Sequence, residues 1–405
     1  IINDEIKQTK IKLSTESINL LVERAIGDRN NLIKWDIAEV DDASYNHTLV
    51  RKNFVLSGNT DWDESAGASD ADASEWLVYD SNTFIYGGSH LNTYCDNFIK
   101  RQNKMIKKKI LICGATGFIG RNILERFCNN KKYEIRALYH KRPIPKNYNN
   151  TKVGGKNNVH WIRANLTKNE DVKKVMSGID IVLQYAATTT GVADIVSKPY
   201  IHVTDNTVMN SFLLREAFEQ KVQHFIVPSC SIMYQSSDAL VKETDLNESD
   251  EINPKYFGAG WMKVYLEKTC DFYSRFRQTK HTVFRQTNIY GPHDKYDLQK
   301  GHVFGSTIVK VMHAKKNVLV WGTGEEERDL LHVEDLVDCI EAAIENQNTH
   351  FELVNVGLGK STSISSLVKK IIDASGKNLS IDYDNTKPTI KTKLGVNITK
   401  AKKLF

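Results

Sequence analysis

The stretch Gly114-Ala115-Thr116-Gly117-Phe118-Ile119-Gly120 decides the fold of this chain. It follows a short apolar run, Ile110-Leu111-Ile112-Cys113, and precedes a helix-compatible segment from Arg121 to Phe127. Strand, glycine-rich turn and helix in that order form the context a dinucleotide-binding fingerprint requires. Gly114 allows the tight turn, Gly117 lets the backbone approach a pyrophosphate, and Gly120 lets the helix pack on the strand. The helix N-terminus then faces the anion, with Thr116, Phe118 and Ile119 in the same turn. The spacing is Gly-x-x-Gly-x-x-Gly. A glycine triplet also occurs in ordinary strand-to-helix loops, and it is the flanking strand and helix that favour a cofactor here.

Outward from that turn the pattern alternates. Apolar runs at Glu134–Tyr139, Val159–Ile162, Asp180–Tyr185, Phe225–Pro228 and Thr282–Thr287 read as strands. Between them, Ile119–Phe127, Glu170–Met176, Val208–Glu219 and Trp261–Arg275 read as helices. Strands alternating with helices predict an α/β Rossmann fold, a doubly wound parallel sheet. The segment after Tyr290 is less regular and is expected to carry a second ligand. The expected division is therefore 1–104, an unassigned N-terminal segment; 105–290, the dinucleotide-binding domain; and 291–405, a smaller, mainly substrate-binding region. Met105-Ile106-Lys107-Lys108-Lys109-Ile110 reads like a second beginning, with a first strand almost at once.

The 405 residues suffice for two or three domains. No apolar run approaches the roughly 20 residues of a membrane span, and no secretory pattern opens the chain. None of the six cysteines forms a Cys-x-x-Cys pair, which argues against zinc or a disulfide framework and for a reducing cytoplasm. Residues 1–104 hold 11 Lys/Arg against 17 Asp/Glu, net −6, and the remainder 44 against 32, net +12. No aromatic–basic signature accompanies that excess, so it reads as a Lys-rich surface with sites for anionic ligands rather than for nucleic acid. In the N-terminal segment Ser14 to Ile26 reads as a helix ending at Gly27, Asp61 to Glu75 as a loop, and Trp76-Leu77-Val78-Tyr79 as a strand. Ser89-His90 lacks the surroundings of a hydrolase nucleophile.

Several ordered motifs carry a resemblance. They are Gly114–Gly120, Tyr185-Ala186-Ala187, Asn206, Asn288-Ile289-Tyr290-Gly291-Pro292, Val320-Trp321-Gly322-Thr323-Gly324, Arg328-Asp329 with His332-Val333-Glu334-Asp335, and Asn355-Val356-Gly357. With them, residues 105–405 resemble the extended short-chain dehydrogenase/reductases of the NAD-dependent epimerase/dehydratase type, especially the GDP-L-fucose synthase-like nucleotide-sugar epimerase/reductases. The resemblance implies an enzyme that binds a nicotinamide cofactor and a nucleotide sugar, a GDP-sugar foremost. It also implies a homodimer in which each subunit contributes two helices.

Family members meet the adenine side near the end of the second strand. An acidic residue there favours NAD; His140-Lys141-Arg142 instead suits a 2′-phosphate, so NADP(H) is preferred and NAD(H) remains open. Asn165-Leu166 stands where relatives carry Asp-Leu near adenine, and Ala186-Ala187 follow the fourth strand.

The family's chemistry uses Ser/Thr, Tyr and Lys, with Tyr and Lys four apart on one helix face. The Lys ammonium lowers the phenol pKa, and the Tyr exchanges a proton with the sugar oxygen. This chain reads Ala259-Gly260-Trp261-Met262-Lys263: the Lys is present and the Tyr is Ala259. Tyr148…Lys152 and Tyr296…Lys300 match the spacing but lie in expected loops. Tyr256, seven before Lys263, would stand about 10 Å away on a continuous helix; a bend at Gly258 and Gly260 would bring it closer. Counting back from Tyr234, the usual serine position falls on Cys230, flanked by Ser229 and Ser231, and the place of the family's epimerisation cysteine two residues on is taken by Ile232. A shifted alignment makes Cys230 that acid/base, and otherwise it is a structural thiol. Gly301-His302-Val303 resembles the family's Ser-His-Val, whose imidazole is an epimerisation acid/base. Arg328 matches the arginine on the sugar-nucleotide diphosphate, with Asn288, Lys310 and Trp321 nearby as substrate contacts. His293, His332 and Asp335 read as structural.

Overall fold

The computed structural model describes residues 107–405, apart from 146–147, 149–158, 189–198, 299–300 and 387–392, together with two short strands of the N-terminal segment. The chain divides into two units, 1–106 and 107–405. In the first, β1 (Thr48–Arg51) pairs antiparallel with β2 (Trp76–Tyr79), Thr48 opposite Tyr79 and Arg51 opposite Trp76. The strand expected at Trp76–Tyr79 is thus present. The helix expected at Ser14 to Ile26, the acidic loop and Ser89-His90 lie outside the described residues.

The second unit begins with β3 (Lys108–Cys113), which runs into the glycine turn and α1 (Phe118–Phe127). Then follow β4 (Tyr133–Tyr139), β5 (Val159–Arg163), α2 (Asn169–Met176), β6 (Ile181–Gln184), α3 (Thr204–Glu219), β7 (His224–Cys230), α4 (Phe257–Ser274), β8 (Lys280–Gln286) and β9 (Asn288–Tyr290). The remainder is α5 (Val303–His313), β10 (Asn317–Trp321), β11 (Glu327–His332), α6 (Val333–Asn346), β12 (Phe351–Val356), β13 (Ser361–Ser363), α7 (Ile364–Ser375), β14 (Ser380–Asp384) and α8 (Thr399–Leu404). Seven strands form one parallel sheet in the order β12-β8-β7-β6-β3-β4-β5. Strand order reverses between β3 and β6, and at such a switch point a crevice opens beyond the carboxyl ends of the strands.

The period of two along β3 builds both layers. Ile110 and Ile112 face one side, with Ile123 and Phe127 of α1 and Leu336, Val337 and Ile340 of α6. Leu111 and Cys113 face the other, with Val172 and Met176 of α2, Leu213 and Leu214 of α3, and Leu266 and Cys270 of α4. A strand buried on both faces reads as a continuous apolar run, which is why Ile110 to Cys113 was legible. Each such side chain contributes about 1.5–3 kcal/mol.

Residues after 291 do not form a body apart from this sheet. β12 extends it beside β8, pairing Phe351 with His281 and Val356 with Gln286, and α6 covers its α1 face. What does stand off is a smaller layer around Val311, Val318, Val320, Ile364, Val368 and Ile372, where α5 and α7 pack on the parallel pair β10 and β14. β9 and β11 pair in parallel, and β11 with β13 antiparallel. The site lies between these two layers of one chain.

Candidate active site

The glycine turn is built as its residues require. Gly114 has φ +72°, a left-handed conformation that favours glycine. A Cβ on Gly120 would stand 2.2 Å from the Gly114 carbonyl oxygen, so α1 packs on the turn only with glycine there. Gly117 caps α1 without a side-chain bond, and the first turn holds no acidic residue. Its amides and the positive end of the helix dipole are therefore available to an anion. This cradle fits the pyrophosphate of a nicotinamide dinucleotide.

Around it, the ends of β3, β4, β6 and β7 open into a cleft of about 1560 Å³. Every residue assigned from the sequence to cofactor, chemistry or substrate lines this cleft, from Gly114 to Arg328. On the adenine side, His140, Lys141 and Arg142 are exposed. The Arg142 Nη1 donates to the Thr116 carbonyl at 3.1 Å, spanning from the second strand's end to the glycine turn. The Asn165 Oδ1 accepts from Thr167 N at 3.2 Å, so that asparagine shapes its own loop. Asn206 fixes the loop after β6: Thr188 N donates to its Oδ1 at 2.8 Å.

The chemistry-bearing residues converge from three elements. Lys263, on α4, donates to the Pro228 carbonyl at 2.7 Å. Burial lowers its pKa, opposed by the neighbouring Cys230 and Glu267. Burial raises the Cys230 thiol, opposed chiefly by the Lys263 ammonium. Ala259 stands one turn before Lys263 and also lines the cleft. The bend through Gly258 and Gly260 is not found: α4 runs unbroken from Phe257, and Tyr256 ends the 3₁₀ turn Pro254–Tyr256 before it. The two glycines instead allow close packing, since a Cβ on Gly260 would meet Ile252 at 2.8 Å and one on Gly258 would meet Val203 at 2.9 Å. The Tyr256 phenol interacts with Arg328 and Cys230; burial raises its pKa and Arg328 opposes the rise.

Of the three residues around the usual serine position, Ser229 is committed. It is buried, and its Oγ donates to Glu267 at 2.5 Å. Glu267 also takes a two-point ion pair from Arg285, at 3.0 and 2.7 Å. Arg285 reaches on to the Tyr234 hydroxyl at 2.8 Å, which itself donates to Asn355 at 2.8 Å. This network ties β7, β8, α4 and β12 together beneath the cleft. Ser231 is buried, with its carbonyl accepting from Tyr234 N. Pattern reading missed Glu267 and Arg285; their elements carry other charged residues, such as Lys268 and Lys280, and nothing local sets these two apart.

On the far wall, Arg328 sits at the start of β11, with burial lowering its pKa. Its neighbour Asp329 is 1% exposed and accepts from the amides of Leu358, Gly359 and Val396 and from Thr287 Oγ1. It is a structural knot, not a ligand group. Asn288 Nδ2 reaches the Asp329 carbonyl at 3.4 Å. The Lys310 Nζ lies 5.2 Å from the Trp321 ring centroid and donates to the Leu319 carbonyl. His302 is the N-cap residue of α5 and is exposed to the cleft; desolvation by the protein around that cleft lowers its pKa, and Asp294 opposes this. His293 pairs instead with Glu125 at 2.9 Å, and His332 Nδ1 accepts from Glu334 N at the start of α6, so both hold structure. Among the described residues no group of His, Cys, Asp and Glu could hold a metal, and no helix is long and apolar enough to cross a membrane.

Comparison with known proteins accords with this geometry. Over 285 residues the chain is 25% identical to GDP-L-colitose synthase of Yersinia pseudotuberculosis, covering 69% of this chain and 86% of the relative. It is 25% identical over 290 residues to GDP-L-fucose synthase of Azorhizobium caulinodans, covering 69% and 85%. Among solved structures, UDP-glucuronic acid 4-epimerase from Bacillus cereus, in complex with UDP-glucuronic acid and NAD, superposes with a TM-score of 0.62 at 26% identity, over 73% of this chain and 92% of that one. UDP-glucose 4-epimerase of Thermotoga maritima, at 22% identity and TM-score 0.63 over 73% and 91%, shares the fold. Residues 110–357 match the NAD dependent epimerase/dehydratase family, and the chain belongs to that family.

Proposed function

We propose that this protein is a nucleotide-sugar epimerase/reductase acting on a 4-keto-6-deoxy GDP-sugar, with NADP(H) as the preferred nicotinamide cofactor. The observation that carries this reading is the placement of Lys263 and Cys230 together in the cleft. With Ala259 in the tyrosine position, the group beside the ammonium is the Cys230 thiol. The acid/base side of the site is present while its usual phenol is not.

A ketone acidifies the C–H bonds on either side of it. His302 on one wall and Cys230 on the other would act on such a carbon: one removes the proton, electrons move onto the ketone oxygen, and the other returns a proton to the opposite face. Arg328 would hold the diphosphate by a two-point guanidinium contact, with Asn288, Lys310 and Trp321 around the nucleotide. The bound cofactor supplies hydride for reduction at C4. The matching proton must come from another group, and Tyr256, between Cys230 and Arg328, is the phenol available. Ser231 and Lys263 shape that end of the site. The proposed assembly is a homodimer.

Ala259 also favours a second reading, a cofactor- and sugar-nucleotide-binding protein with a partner or regulatory role and little catalysis. Mass spectrometry of GDP-4-keto-6-deoxymannose incubated with the protein and NADPH in deuterated water separates the two. Deuterium at carbon together with a reduced product supports the full reaction. Deuterium alone supports an epimerase without the reductive half. Tight NADPH binding with neither supports the binder.

A further inference from the structure

Asp294 follows β9 in the turn Gly291-Pro292-His293-Asp294. Gly291 at φ +142° and His293 at φ +71° fold this turn back, so that Asp294 N donates to the Gly291 carbonyl at 3.2 Å. The carboxylate is thereby buried at 8% exposure. Its Oδ1 accepts from Lys295 N at 2.6 Å, while its Oδ2 is buried and receives no hydrogen bond. A Cβ on Gly305 would stand 2.8 Å from the Lys295 carbonyl and 3.5 Å from this Oδ2, so the first turn of α5 lies directly on the carboxylate. His302 is the residue that begins that turn.

A buried acceptor without a donor and a solvent-facing imidazole therefore share one corner of the cleft. The His302 ring makes no hydrogen bond among the described residues, and Asp294 is the carboxylate whose charge acts on it. A buried acceptor lacking a donor is costly unless something completes it. The imidazole is solvent-facing and the carboxylate lies at the buried base of its turn, an arrangement in which a carboxylate can orient a ring and favour its charged form.

We propose that Asp294 is the positioning carboxylate of His302, holding the ring in one orientation and tautomer and stabilising the positive charge it gains on taking a proton from a substrate carbon. No hydrogen bond joins the two here. Rotation of the ring closes the pair when a ligand fills the cleft, as catalytic hydrogen bonds commonly tighten on binding. The inference rests on the reading of His302 as an acid/base. The other charged group that acts on the ring is Lys295, in the same loop, which disfavours its protonation.

The test is the titration of His302 by NMR in the full chain labelled at histidine ring carbons and aspartate carboxyl carbons, with His302→Gln identifying the ring resonance. Asp294→Asn is expected to lower the His302 midpoint by about one unit. It should also lower kcat for deuterium incorporation about tenfold with KM little changed, and Asp294→Glu should restore part of that loss. In the parent protein the Asp294 carboxyl resonance should step at the His302 midpoint, and the step should vanish in His302→Gln. That second measurement needs no substitution at the buried site. An unchanged midpoint in a folded Asp294→Asn protein overturns the proposal, as does an Asp294 carboxyl signal indifferent to His302. If no ketosugar exchanges deuterium, the acid/base reading of His302 fails, while the titrations still decide whether Asp294 acts on the ring.

Discussion

Lys263 donates to the carbonyl oxygen of Pro228 at 2.7 Å, and that bond fixes its ammonium at the end of β7 beside Cys230. In the family pattern the same ammonium serves a tyrosine one turn earlier on the helix. Here that position is Ala259, which lines the cleft on the unbroken helix α4. Ala259→Tyr is expected to place a phenol within reach of Lys263, because residues four apart share a helix face. The expected outcome is NADPH oxidation with a 4-keto-6-deoxy GDP-sugar at a rate about 100-fold or more above the parent, the usual worth of a placed general acid. Stability should change by less than about 1 kcal/mol, since the new ring faces the cleft rather than the core. Stopped-flow absorbance of NADPH and a thermal melt check the two halves. An inactive variant that still binds cofactor and substrate would remove the proton donor as the missing part.

Gly120→Ala should damage the cofactor site without touching the rest of the cleft. The added methyl would stand 2.2 Å from the Gly114 carbonyl oxygen, a backbone atom that cannot rotate away. The first turn of α1 must move, and with it the amides that face the pyrophosphate. NADPH affinity, read by fluorescence titration, should fall at least about tenfold, or roughly 1.4 kcal/mol. Folding stability should drop by about 1–3 kcal/mol, the usual cost of forcing a methyl into packed structure. Unchanged NADPH affinity would show that the turn is not the phosphate cradle.

Much of this was legible because it is local. Ile110 to Cys113 is buried on both faces, so its apolar run needed no partner to be recognised. Gly114 and Gly120 announce a left-handed turn and a close helix approach. The parts that escaped are those whose meaning comes from distant chain. Ser229, Glu267 and Arg285 are spread over 57 residues and become a network only when β7, α4 and β8 lie side by side. Asp329 sits next to Arg328 but points its oxygens at Leu358, Gly359 and Val396. Tyr256 looked too far from Lys263 along a helix. It lies before that helix, where its neighbours are Arg328 and Cys230 instead. β12 completes the sheet from the region expected to hold mainly substrate, since parallel pairing takes no account of sequence distance.

Acid should destabilise the fold through two histidines far from the cleft. His224 and His281 are 5% and 1% exposed, at the amino ends of β7 and β8. Burial is the largest cause that holds their pKa values down, to about 3 and about 4. Between those values and the ordinary histidine pKa of about 6.5, the unfolded chain binds protons that the folded chain refuses. Stability therefore falls as pH drops from about 6.5 towards 4, by on the order of 2–3 kcal/mol for each group at most. The buried Asp294 and Asp329, whose pKa values burial raises, act with the opposite sign in a window just above the ordinary aspartate value. Urea melts between pH 4.5 and pH 8 check this, with His224→Gln expected to flatten part of the slope. A flat profile in the parent would mean that neither ring is neutral only when folded.

The basic run His140-Lys141-Arg142 should divide its work rather than act as one patch. Arg142 bonds the Thr116 carbonyl at 3.1 Å, so its guanidinium is partly committed to holding the glycine turn. Lys141 is exposed on the adenine side of the same cleft. A 2′-phosphate differs from a 2′-hydroxyl chiefly in charge, so the residue free to meet it should set the preference between NADPH and NADH. Lys141→Glu is accordingly expected to weaken NADPH about tenfold or more while changing NADH by less than about threefold, a difference near 1 kcal/mol. Arg142→Ala should weaken both cofactors by similar factors, because the turn it braces serves the pyrophosphate common to both. Fluorescence titration of each variant with each cofactor measures the four affinities. Equal losses at Lys141 for both cofactors would make the run an electrostatic surface without a 2′-phosphate site. A loss confined to NADPH at Arg142 would instead move that site onto the guanidinium and away from the turn.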